Sequence, residues 1–159
     1  LFADGAAACV VADSADASAG PALRATGSVL LPDSLEAMGW WIGQHGFAMR
    51  LSPEVPAILA EHVGAWVDAM LDARGMDRRA VAGWAIHPGG PRVLAGVADA
   101  LGLGDRDREA SAAVLREHGN MSSATILFII ERLLAAGRTP LLGLAFGPGL
   151  SGEAILVGG

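Results

Sequence analysis

The sequence predicts an α/β fold: layered α/β/α, with a mixed sheet and one helix buried at its centre. Three observations lead there. Short apolar, β-branched runs bounded by Gly, Pro or Asp recur at 6–12, 22–31, 81–87, 141–146 and 154–157. The stretch 55–74 carries apolar residues at three-four spacing, including Val55, Leu59, Val63, Val67 and Met70, as an amphipathic helix does. From Met121 to Ala136 the apolar residues encircle the axis, which predicts a helix covered on nearly all sides.

Each element follows from its own residues. Residues 6–12, Ala-Ala-Ala-Cys-Val-Val-Ala, read as a strand buried on both faces, with Cys9 as a small hydrophobe within it. A polar loop reaches Pro21, and 22–31 reads as a second strand stopped by Pro32-Asp33. Gly39–Gly46 holds Trp40, Trp41 and His45; a short strand follows at Gly46–Leu51, with Phe47 and Met49 on one face. Trp40, Trp41 and Met49 read most simply as core. Ser52-Pro53-Glu54 predicts a helix start with Ser52 as N-cap, and Gly75 the stop after Arg74. A strand then runs to His87, a helix covers about 91–101, Gly102-Leu103-Gly104 breaks it, and 105–118 forms an exposed charged helix. Leu141–Phe146 and Ala154–Val157 pair as a hairpin across Gly147-Pro148-Gly149.

Composition limits the function. The chain has 159 residues, 52% of them hydrophobic and 18% charged, with a formal net charge of −6, which excludes a disordered chain and argues against nucleic-acid binding. The single cysteine, Cys9, allows neither an intrachain disulfide nor a thiolate cluster, and a reducing cytoplasmic setting fits. His45, His62 and His118 lack metal-ligand spacing, so no metal site is expected. No apolar run of membrane-spanning length is present, and the first residues do not read as a signal peptide. The chain starts without Met in what reads as the middle of a fold, so a piece of a longer protein is expected.

Two polar stops carry the candidate chemistry. Trp84-Ala85-Ile86-His87 runs straight into Pro88-Gly89-Gly90-Pro91, which ends the strand and leaves an imidazole on a sharp turn. Gly119-Asn120 opens the most hydrophobic helix, where Asn120 serves as a helix N-cap, as an oxyanion-binding amide, or as both. The two stops are expected to meet in one site. Taken alone, His87 also reads as a hydrogen-bonded structural residue.

Four segments, Leu1-Phe2-Ala3-Asp4-Gly5-Ala6-Ala7-Ala8, Trp84–Pro91, Gly119-Asn120-Met121-Ser122-Ser123-Ala124 and Gly143–Leu150, together resemble the type III polyketide synthases, the chalcone synthase family, and look more like bacterial members than plant ones. The resemblance covers residues 1–159 and only the C-terminal part of that family's thiolase-like fold. It implies an acyltransferase that condenses malonyl-CoA decarboxylatively with an acyl-CoA starter and cyclises the product. His87 and Asn120 match the family's catalytic His and Asn. Gly147, Pro148 and Gly149 match the loop shaping the cyclisation pocket, and Met49 falls where a bulky gatekeeper sits. The resemblance further implies a homodimer, no cofactor beyond coenzyme A thioesters, and a nucleophilic cysteine in an N-terminal half upstream of the Asp4-Gly5-Ala6 motif, so Cys9 is not that nucleophile. Two other readings stand beside it: a non-catalytic module that binds acyl-CoA or dimerises, and a β-ketoacyl-ACP synthase relative, whose basic carrier-docking surface the charge of −6 does not support.

Overall fold

The computed structural model describes residues 1–13 and 20–158. Its centre is a four-stranded mixed sheet in the order β1-β6-β5-β4. The strands are β1 (Leu23–Leu30), β4 (Gly83–Ile86), β5 (Leu141–Gly147) and β6 (Ser151–Val157); β4 and β5 run parallel, and β5–β6 and β1–β6 run antiparallel. A separate two-stranded ribbon is formed by β2 (Met38–Gly43) and β3 (Gly46–Leu51).

The pleat divides the core into two layers. Trp84, Ile86, Leu142, Leu144, Ala154 and Leu156 point to one face, against α1 (Val55–Asp72) and α2 (Pro91–Leu101). Ala85, Leu141 and Val157 point to the other, against α3 (Asp105–His118) and α4 (Ala124–Ala135). All four residues of β4 are buried, so its sequence is an unbroken apolar run rather than an alternating one. Arg78 fastens the first layer: it ion-pairs Asp68 of α1 and donates to the carbonyls of Gly64 in α1 and Ala100 in α2.

Several expectations are corrected. Residues 6–12 form no strand and are exposed, Cys9 included. An apolar run becomes a strand only where a partner satisfies its backbone, and among the described residues none lies alongside; Ala6–Cys9 instead border a groove along α4. Trp40, Trp41 and Met49 are not core: they sit half-exposed on the ribbon. The first long helix begins at Val55, with Glu54 as N-cap and Pro56 in its first turn, because Val55 N–H and the Glu54 N–H both turn back onto Ser52. Helix α3 is not merely a solvated face: Ser111 is fully buried and its hydroxyl accepts the Ile86 N–H, closing the open edge of β4. Helix α4 starts at Ala124, and this chain covers only part of it: Thr125, Ile129, Ile130 and Leu133 are buried, whereas Leu127, Phe128 and Leu134 are half-buried along the groove.

Candidate active site

The first site residue is placed by the end of β4. The His87 N–H donates to the Leu144 carbonyl at 2.8 Å, adding one rung to the parallel ladder beyond Ile86. Pro88 then stops the ladder, and the Gly89 N–H folds back onto the His87 carbonyl at 3.0 Å. Gly90 is extended and Pro91 opens α2, so strand, turn and helix follow within five residues. The His87 ring sits just past the last residue of β4 and is partly buried. Burial lowers its pKa below the ordinary value of 6.5, favouring the neutral ring.

Asn120 reaches the same place from the opposite direction. Its backbone is gripped by the first residues of the chain: the Asn120 N–H donates to the Leu1 carbonyl at 2.7 Å and the Ala3 N–H to the Asn120 carbonyl at 3.0 Å. Gly119 permits this approach. It has φ +77, and a Cβ there would stand 2.9 Å from the Ala3 side chain. Asn120 is not the helix N-cap that its position suggested; Ser123 holds that place, without a side-chain cap bond. The Asn120 side-chain oxygen instead accepts the Ser122 N–H at 2.9 Å, with Ser122 itself at φ +55, while the Met121 N–H is taken by the Thr125 hydroxyl. That arrangement fixes which way the amide points. One N–H reaches the Gly89 carbonyl at 3.4 Å, and the other has no partner among the described residues.

Both side chains line one cavity of about 540 Å³ at the carboxyl ends of β4 and β5. Met49, Gly147 and Pro148 line it as well. Gly149 does not; it has φ +114, and its N–H bonds the Met38 carbonyl at 3.2 Å behind the wall. The rest of the lining is mostly apolar, with Met38, Trp40, Leu51, Val93, Ile126 and Phe146 among it. Sequence reasoning missed Trp40 and Phe2. A signal for Trp40 existed: in the ribbon register it lies directly across from Met49, so one bulky side chain at the cavity brings the other. Phe2 had none, since it enters only through the pairing of residues 1–3 with Asn120.

The chemistry this wall can perform is hydrogen-bond donation from His87 and Asn120 into an apolar enclosure, the setting in which a developing oxyanion is held most strongly. No thiol is part of it, because the chain's one cysteine borders the other groove. Among the described residues no three His, Cys, Asp or Glu side chains cluster as a metal-binding set. No helix among the described residues is long and apolar enough to cross a membrane.

The profile of the chalcone and stilbene synthases, C-terminal domain, matches residues 22–159. The chain belongs to the chalcone and stilbene synthase family. Within the family it is 39% identical to a 1,3,6,8-tetrahydroxynaphthalene synthase of Streptomyces peucetius subsp. caesius, over 99% of this chain and 44% of that protein. It is 36% identical to a 3,5-dihydroxyphenylacetyl-CoA synthase of Amycolatopsis orientalis, over 84% of this chain and 36% of that one. The chain therefore spans less than half the length of these curated relatives. Among solved structures it resembles a polyketide synthase from the brown alga Ectocarpus siliculosus, with a TM-score of 0.82 at 26% identity over 86% of this chain and 39% of the other. A fungal type III polyketide synthase superposes with a TM-score of 0.79 at 27% identity, over 91% and 43%. The fold expected from the sequence, the C-terminal half of a thiolase-like α/β/α domain, is the fold observed.

Proposed function

We propose that residues 1–159 are the C-terminal domain of a type III polyketide synthase and supply the His and Asn of its active site. The supporting observation is that His87 and Asn120, from two separate elements, line one mostly apolar cavity, with the Asn120 amide tied to the turn that follows His87. The substrates are malonyl-CoA and an acyl-CoA starter, and no further cofactor takes part. His87 and Asn120 donate hydrogen bonds to the malonyl thioester carbonyl. When CO₂ leaves, the electron pair of the broken C–C bond becomes an enolate whose oxygen those donors hold. The enolate carbon then attacks the carbonyl of the acyl group held as a thioester on the enzyme's cysteine. The cysteine leaves as thiolate, and the acyl chain, two carbons longer, remains as a thioester of the coenzyme A that carried the malonyl unit. Burial lowers the His87 pKa, which favours the neutral ring and donation through an N–H. Each such donor contributes about 3–4 kcal/mol to the transition state.

The nucleophilic cysteine comes from an N-terminal half, which packs on the groove that α4 leaves open; the enzyme is a cytoplasmic homodimer and uses neither a metal nor a nucleic acid. Met49, Gly147 and Pro148 shape the cavity where the chain cyclises, and Gly149 acts from behind it. The position of Cys9 outside the cavity favours a second reading for residues 1–159 by themselves: a module that binds acyl-CoA without turnover. Mass spectrometry of products formed from malonyl-CoA alone tests the proposal. The enzyme containing this domain gives malonyl-derived polyketide that disappears with His87→Ala; no malonyl-dependent product from the unaltered enzyme would leave the module reading in its place.

A further inference from the structure

The β2–β3 ribbon is a sheet of its own, yet its apolar face forms one wall of the cavity through Met38, Trp40, Met49 and Leu51. The turn after β5, with Gly147 and Pro148, forms the adjoining wall. A clasp at the base of the ribbon joins these walls. The Leu31 N–H donates to the Leu150 carbonyl at 3.0 Å, and the Gly149 N–H donates to the Met38 carbonyl at 3.2 Å. The third link is a side chain. Ser34, only 2% exposed, accepts the Leu150 N–H on its hydroxyl at 3.2 Å and donates that hydroxyl to the Leu31 carbonyl at 2.7 Å. The Gly149 carbonyl lies 3.5 Å from the same hydroxyl as a second acceptor. The Ser34 carbonyl also accepts the Ala37 N–H at 2.9 Å, and the Ala37 carbonyl accepts the Ser52 N–H at 2.8 Å, so the residues flanking both strands at the open end of the ribbon are tied back toward Ser34.

We infer that Ser34 is a positioning residue that sets cavity width by clasping the ribbon to the Gly147–Leu150 turn, and so fixes how many extensions the product receives. Two of the three links are backbone bonds, which only a proline at Leu31 or Gly149 would remove; the hydroxyl is the link that a side-chain change alters. Leu150 is fully buried, so without the hydroxyl its N–H has no replacement from solvent, and the turn must move to satisfy it. Motion there is transmitted to the wall: Gly149 is bonded to Met38, which lines the cavity. Ser34 is not among the residues lining the cavity, so its effect on product length runs through position alone.

This inference rests on the polyketide synthase reading, and its test separates the two. Product lengths are compared by mass spectrometry for the enzyme containing this domain and for Ser34→Ala, with release of CO₂ from malonyl-CoA measured beside them. Ser34→Ala is expected to shift the ratio of longer to shorter products roughly fivefold, the effect of losing one buried hydrogen bond, while CO₂ release stays within about twofold. Ser34→Thr, which keeps the hydroxyl, restores the original ratio. Arg78→Met, a stability variant distant from the clasp, leaves the ratio unchanged. If Ser34→Ala does not accumulate as soluble enzyme, Ser34→Cys, of similar volume but a weak acceptor, is put to the same comparison. An unchanged ratio in the soluble variant, with the unaltered enzyme active, overturns the inference alone. Absence of any malonyl-derived product from the unaltered enzyme removes the function on which it rests, and the inference with it.

Discussion

The side-chain amide of Asn120 donates to the carbonyl of Gly89, two residues past His87, at 3.4 Å. That bond joins the turn ending β4 to the loop opening α4, so the two polar stops separated by 33 positions in sequence form one wall. It also couples their geometry: a shift of the Pro88–Pro91 turn displaces the amide, and loosening of Asn120 frees the turn.

Gly119→Ala tests the grip on Asn120. The substitution places a Cβ 2.9 Å from the Ala3 side chain at a backbone with φ +77. A loss of about 1–2 kcal/mol in unfolding free energy is expected from the strained backbone, together with faster hydrogen exchange at residues 1–3. Exchange at those residues matching the unaltered protein would show that the clamp tolerates the change.

The pH dependence of stability follows from His87. Its folded pKa lies below the ordinary 6.5, because burial disfavours the charged ring. The unfolded chain therefore binds the proton more readily. The contribution is complete above about pH 6.5 and is lost as pH falls from there through the lowered folded value. Denaturant unfolding from pH 8 to pH 5 should show the native protein losing stability faster than His87→Gln across that window. Parallel curves would place the ring in contact with water.

Arg78→Met removes the guanidinium that ties α1, α2 and the segment before β4 together. The pair with Asp68 is partly solvated, with the Asp68 side chain half-exposed, so most of the expected loss comes from the carbonyls of Gly64 and Ala100. About 1–2 kcal/mol of stability should go, with substrate KM unchanged. A change in KM at constant stability would mean that Arg78 reaches the cavity.

Residues 1–159 expressed alone should self-associate. Ile42 and Phe47 on the ribbon and Val10 and Val11 near the start are strongly exposed, and α4 leaves Leu127, Phe128 and Leu134 half-covered. This is more apolar surface than a soluble monomer normally shows. Sedimentation velocity reads it: species larger than a monomer are expected, and a monodisperse monomer with a sharp thermal transition would mark a self-sufficient domain.

Where burial and breakers act locally, the sequence was readable. Pro88-Gly89-Gly90-Pro91 placed the end of β4 and the start of α2, and Gly147-Pro148-Gly149 placed the hairpin between β5 and β6. Where a segment depends on what lies beside it, the sequence misled. Residues 6–12 have strand composition but no strand partner in the described chain, and Trp40 and Trp41 have core composition but sit on a ribbon. The polar stop at Asn120 was legible, whereas its geometry was not: an Asx turn onto Ser122 and a bridge to Phe2 replace the helix cap, and neither leaves a mark in local spacing. The Ser34 clasp was invisible for the same reason, since it joins residues more than 100 positions apart.

The rate of CO₂ release from malonyl-CoA tests the shared role of His87 and Asn120 most directly, because it isolates enolate formation from chain growth. In the enzyme containing this domain, Asn120→Ala should lower that rate about 10²–10³-fold, the usual effect of losing one oxyanion donor. His87→Ala should lower it similarly, and the double variant should fall by less than the product of the two, since both donors hold the same oxygen. A decarboxylation rate unchanged in Asn120→Ala, with the fold intact by circular dichroism, would contradict the assignment of this cavity as the site of thioester chemistry.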